Sequence, residues 1–141
     1  MQAIVKRIGR DRLGLVGKAE SAHWIPMDTS LAGDGHAAAN SPMELVLLAV
    51  GGCTAMDVLG ILKKKRIVLD DFEVALEAER ADSHPRLFTS IKLIYHFTGR
   101  GLMRSDLEQA VALSQDKYCS VAAMLRATVP LSYAIEVHEP A

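Results

Sequence analysis

Cysteine is scarce in this chain: two among 141 residues, Cys53 and Cys119, 66 positions apart, with no Cys-x-x-Cys pair and no Cys/His cluster. That excludes a disulfide framework and leaves no zinc-site spacing. The five histidines, His23, His36, His84, His96 and His138, are scattered at no metal spacing and are expected to face solvent or sit in turns. Charge of one sign is lacking too: the net charge is −1 with both signs interspersed, so there is no basic stripe for nucleic acid and no acidic tail. The opening run Met1 to Arg7 mixes apolar and charged residues, and no apolar h-region or small-residue cleavage site follows it. Secretion is not indicated, and a reducing cytoplasm is the expected setting.

What is present is a half-apolar composition, enough for one domain with a real core, and one long apolar run. Met43 to Leu62 has about the length of a bilayer span and is followed by the four charges Lys63 to Arg66. Asp57 near its middle, Glu44 at its start and the pair Gly51-Gly52 argue against lipid on all sides, because a mid-helix carboxylate is costly in hydrocarbon. No membrane partner is expected. In front of the run, Ser41-Pro42-Met43-Glu44 sets a capping hydroxyl, a proline at the first helical position and a glutamate at the third. A helix from Pro42 to about Lys65 is predicted, with basic residues in its last turn where the macrodipole favours them. Those residues are expected to be a solvated helix end.

From Leu45 to Leu62 almost every side chain is apolar or small, so this helix must be surrounded by protein. One chain of this size would struggle to wrap it. A dimer core is expected, with Gly51 and Gly52 permitting close backbone approach at a helix crossing.

Around the helix the pattern is mostly strand. Ala3 to Ile8, Leu13 to Ala19 and His23 to Met27 read as a small meander, and Leu31 to Asn40 as a surface loop. Phe72 to Arg80 alternates apolar and polar, Asp82 to Arg86 is a turn, and Leu87 to Thr98 returns with Leu87, Thr89, Ile91, Leu93, Tyr95 and Phe97 on the better core face. Ser105 to Ser114 reads as a second helix, Ser120 to Ala127 as a third, and Leu131 to Val137 as a closing strand. The order, with no repeat and no linker, favours an α+β fold over a doubly wound parallel sheet.

The two cysteines are the residues that invite chemistry. Cys53, beside two glycines and Thr54, has small neighbours that leave its sulfur room, although a free cysteine commonly packs as a small hydrophobe. Asp57 lies one turn on, and a nearby negative charge disfavours a thiolate, so some cation would have to outweigh it. Cys119 precedes the short third helix, where unsatisfied backbone donors and the helix dipole are expected to lower its thiol pKa. Either sulfur could attack a sulfenic acid on the other. Glu44 reads equally as a helix cap or as a catalytic group. At nine residues from Cys53, about 13.5 Å along a helix, it could act there only through an intermediary or on a partner's site.

Several stretches together resemble the OsmC/Ohr superfamily, in its YhfA-like branch: Ser41-Pro42-Met43-Glu44-Leu45 through Gly51-Gly52-Cys53, Leu62 to Arg66, His84-Pro85-Arg86, Thr98-Gly99-Arg100-Gly101 and Lys117-Tyr118-Cys119-Ser120-Val121. The resemblance covers nearly the whole chain after residue 20. It implies an α+β OsmC-like fold, with antiparallel sheets around a long buried central helix, in an intertwined homodimer. It implies thiol-dependent reduction of small organic hydroperoxides, with Cys53 as peroxidatic and Cys119 as resolving cysteine. An external dithiol would serve as reductant, and neither metal nor organic cofactor is required. Two departures stand out. The glutamate that the family places ten residues before the peroxidatic cysteine is Met43 here, with Glu44 one place later. The arginine that this glutamate would orient has only Arg10 and Arg12 as nearest candidates.

Overall fold

The computed structural model describes residues 1–9, 14–29 and 37–141, and the chain divides into two compact units, 1–47 and 48–141. In the first unit, β1 (Ala3–Arg7), β2 (Leu15–Ala19) and β3 (Ile25–Met27) form the expected antiparallel meander in the order β1-β2-β3. Gly17 packs under Met27: a Cβ there would stand 2.9 Å from the Met27 methyl on the neighbouring strand and would push that side chain aside. Arg10, Arg12 and residues 31–36 of the expected loop, His36 among them, lie outside the described residues.

Helix α1 (Pro42–Lys64) starts where the capping box places it: Ser41 N–H donates to Glu44 Oε2 at 2.6 Å, and Glu44 N–H donates to Ser41 Oγ at 3.3 Å. The Ser41 backbone N–H most, and the Ser41 hydroxyl after it, hold the Glu44 carboxyl below its usual range by hydrogen-bonding to it. By length and composition α1 could cross a membrane, with a mean hydropathy of 2.2 over its most apolar stretch. Its buried positions are Val50, Gly51, Thr54, Val58 and Leu62, a stripe at helical spacing. Leu48, Met56 and Leu59 are left exposed by a single copy of the chain.

The second unit carries a three-stranded mixed sheet in the order β4-β5-β6. β4 (Asp71–Arg80) and β5 (Phe88–Thr98) form the expected hairpin. β6 (Leu131–His138) lies parallel to β5, rather than in the expected antiparallel pairing, and the long helical connection between them permits that crossover. Ile91, Leu93, Tyr95 and Phe97 fill the core from β5. Leu87 and Thr89 do not join them: β5 begins one residue after Leu87, and both residues are exposed. The crossover is α2 (Arg104–Leu113), a five-residue π-helical turn (Ser114–Tyr118) and α3 (Ser120–Arg126).

Two further expectations are corrected. Gly51 makes its close approach to a strand rather than to another helix, for a Cβ there would stand 2.8 Å from Leu76 Cδ1 of β4, while Gly52 faces open space. The basic run after α1 is not wholly solvated: Lys65 Nζ donates to Asp106 Oδ1 at 2.7 Å and to Gln109 Oε1, fastening the end of α1 to α2.

Candidate functional site

The fold of the second unit brings both cysteines together. The Cys53 and Cys119 sulfurs and an Asp57 carboxylate oxygen all lie within 4.8 Å of one another, and both cysteines are free thiols. Cys53 and Asp57 come from successive turns of α1, which sets them on one face. Cys119 comes from the junction behind α2, and a wide turn delivers it. Cys119 N–H donates to Ser114 O at 2.8 Å, five residues back, so the turn holds an extra residue. That extra residue lets Ser114 and Gln115 both point inward before the chain reaches Cys119, which is also buried.

The two thiols live in different surroundings. Cys53 is half-buried, whereas Cys119 is only 2% exposed. The expectation of an acidified Cys119 is overturned. Cys119 does cap α3, accepting from Ala122 N–H at 3.4 Å, and that bond favours the thiolate. Burial outweighs it, and Cys53 and Asp57 act in the same direction, so the Cys119 thiol is pushed up from 9.0 to about 11. A seven-residue helix offers a short dipole, and loss of water around the buried sulfur penalises charge more.

Beneath the thiols lies a buried polar network that sequence spacing does not reveal. Thr54 Oγ1 is 2.7 Å from both the Tyr95 hydroxyl and Ser114 Oγ. Gln115 Nε2 donates to the Tyr95 hydroxyl at 2.7 Å and to Thr54 Oγ1 at 3.3 Å. Ser114 Oγ donates to Asp57 Oδ2 at 3.1 Å, which ties the network to the carboxylate beside the sulfurs. Arg126 closes the far end, donating to Gln115 O at 2.8 Å and Gln115 Oε1 at 3.0 Å. Among the described residues no buried side-chain nitrogen or oxygen lacks a partner, so this network can hold α1, β5 and the π-turn in one register. The available signals were weak: Tyr95 on the core face of its strand, and Ser114 in line with Leu107 and Val111.

Beside Asp57, a groove of about 450 Å³ runs past Met56, Gly60, Ile61, Leu113 and Tyr118. Its lining suits a small, partly apolar molecule. Two thiols and a carboxylate are also a donor set that suits a thiophilic cation, though Ala122 N–H already bonds one sulfur and Ser114 Oγ the carboxylate. Glu44 caps α1 through Oε2, which accepts from Ser41 N–H.

Residues 33–134 match the model of the OsmC-like protein family. Protein YhfA of Escherichia coli K12 is 47% identical over 137 residues, spanning 97% of this chain and 98% of that protein. A hypothetical protein from Aquifex aeolicus superposes with a TM-score of 0.84 at 30% identity, covering 99% of this chain and 97% of that one. The organic hydroperoxide resistance protein OhrB of Bacillus subtilis shares the fold alone, with a TM-score of 0.67 at 14% identity over 96% and 98% of the two chains. The α+β architecture, the family model and a relative sharing nearly half its residues agree: the chain belongs to the OsmC-like family.

Proposed function

We propose that the protein is a thiol-dependent peroxidase that reduces small organic hydroperoxides, with Cys53 as the attacking and Cys119 as the resolving cysteine. One observation carries the reading. The only two cysteines of the chain, 66 positions apart, meet within 4.8 Å, one reachable from solvent and one enclosed. The more exposed thiol is the one better placed to meet a peroxide, and the enclosed thiol lies within reach of what forms on it.

In the first step the Cys53 thiolate attacks the terminal peroxide oxygen, the O–O bond breaks, and the leaving alkoxide takes a proton to depart as the alcohol. Cys53 becomes a sulfenic acid, with sulfur as both nucleophile and redox centre. In the second, Cys119 attacks the sulfenic sulfur, the S–O bond breaks, water leaves, and a Cys53–Cys119 disulfide forms. An external dithiol then returns both thiols. With its pKa at about 11, Cys119 would be only ~0.01% thiolate at pH 7. Part of that elevation comes from Cys53 itself, and its conversion to a neutral sulfenic acid relieves it. Burial, the larger cause, persists, so the relief is partial.

The reading extends to a cytoplasmic homodimer. Leu48, Met56 and Leu59 are exposed on α1, and full burial of each such side chain is worth about 1.5–3 kcal/mol. A second copy laid on this face would supply the cover that the composition of α1 asks for. A second functional reading, a carrier of a small apolar or acyl ligand with the cysteines as redox sensors, is favoured by the groove beside Asp57.

Stopped-flow oxidation of the reduced protein by cumene hydroperoxide and by hydrogen peroxide, with thiols counted afterwards, separates the two. Fast loss of both thiols, faster with the organic peroxide, abolished by Cys53→Ser and halted at a sulfenic acid in Cys119→Ser, supports the peroxidase. Slow oxidation indifferent to both substitutions rejects it in favour of the carrier.

A further inference from the structure

We propose that His96, Glu136 and His138 form a binding site for a divalent transition-metal ion on the outer face of the β4-β5-β6 sheet. The parallel pairing sets His96 beside Glu136 and Thr98 beside His138, and residues two apart on a strand share a face. All three side chains therefore rise on the side opposite Tyr95, Phe97 and Ile135, which point into the core. Glu73 of β4 stands in register with His96 on its other flank and adds negative charge to the same surface.

The distances are those of ligands sharing one ion. His96 Nδ1 lies 3.2 Å from His138 Nε2 and 3.2 Å from Glu136 Oε2, and His138 Nε2 lies 3.8 Å from that same oxygen. Metal–nitrogen and metal–oxygen bonds of about 2.0–2.2 Å, opened to tetrahedral or octahedral angles, place neighbouring donor atoms about 2.9–3.5 Å apart. Two of the three separations fall in that range, and the third closes with a small rotation of an exposed side chain. The two rings lie side by side with centroids 5.4 Å apart, and each has one nitrogen close to the other's. Two imidazoles and one carboxylate suit zinc, nickel, copper or cobalt rather than magnesium or calcium. Three protein ligands leave a coordination position open to water. An ion there bridges β5 to β6, the closing edge strand.

This site stands apart from the thiols, so it is tested with them removed. In a Cys53→Ser/Cys119→Ser background, titration with zinc by calorimetry and with cobalt(II) by visible absorption is expected to show one ion per chain, no sulfur-to-metal charge-transfer band, and a zinc-dependent rise in melting temperature. Loss of outer-sphere support alone typically weakens a metal about 10–100-fold, so His96→Ala or His138→Ala is expected to weaken zinc at least ~100-fold. Glu136→Gln is expected to weaken it too. No saturable binding, or binding unchanged in His96→Ala/His138→Ala, overturns the proposal. Should the serine background fail to fold, zinc stoichiometry of the unsubstituted chain beside His138→Asn decides: one ion fewer supports the site, and an unaltered count overturns it.

Discussion

The hydroxyls of Thr54 and Tyr95 meet 2.7 Å apart in the core, joining the residue that follows Cys53 on α1 to the inner face of β5. Thr54 also bonds Ser114 and Gln115, so its hydroxyl is the hub of the buried network. Thr54→Val keeps the shape but leaves three polar groups short of a partner. A loss of about 1–3 kcal/mol is expected in denaturant unfolding. Tyr95→Phe removes a hydroxyl that has two partners and is expected to cost a comparable amount.

The thiols differ in burial, and alkylation should order them. At neutral pH, iodoacetamide followed by peptide mass analysis is expected to label Cys53 well before Cys119. Labelling of Cys119 is expected to keep rising as the pH approaches about 11, where burial has pushed its thiol. Equal labelling of the two at pH 7 would contradict the enclosure of Cys119.

The same elevation has a stability consequence. An unfolded chain gives up the Cys119 proton near 9.0, while the fold holds it to about 11. Across that window the native state binds more protons than the unfolded one, so stability falls as pH rises from 9 toward 11 and this contribution is constant below 9. Cys119→Ala is expected to flatten that part of the stability profile, measured by urea midpoints at each pH.

Glycine substitutions on α1 probe both of its faces. Gly51→Ala places a methyl 2.8 Å from Leu76 Cδ1, and a loss of about 1–3 kcal/mol is expected from the crowding. Gly60→Ala meets nothing within 4 Å and is expected to gain up to about 1 kcal/mol from helix propensity. Gly52→Ala meets nothing within a single chain either. If a second copy lies on that face, Gly52→Ala is expected to weaken the dimer in sedimentation velocity while leaving the isolated chain folded.

Glu44 is expected to behave as a cap and no more. Ser41→Ala and Glu44→Ala should each lower stability, Ser41→Ala by about 0.5–2 kcal/mol. Neither is expected to change the oxidation rate of Cys53 beyond what partial unfolding explains. A fall of tenfold or more in that rate for Glu44→Gln, at full helicity, would restore a catalytic role.

Local pattern was enough to name the elements and the family. The capping box wrote the start of α1, period-two alternation wrote β4 and β5, and the stretches around Cys53 and Cys119 carried the resemblance to the OsmC-like proteins. Such signals are legible because they depend on neighbours within a turn or a strand. Chain folding over longer distances settled the rest. It closed 66 positions to bring two sulfurs within 4.8 Å, buried Cys119 so that desolvation overrode the helix-cap effect, and turned Gly51 toward a strand instead of a helix. It also gathered Thr54, Tyr95, Ser114 and Gln115 into one network, and a parallel register set His96 beside Glu136. Burial, register and separation through space are properties of the packed chain, and no spacing along it encodes them one residue at a time.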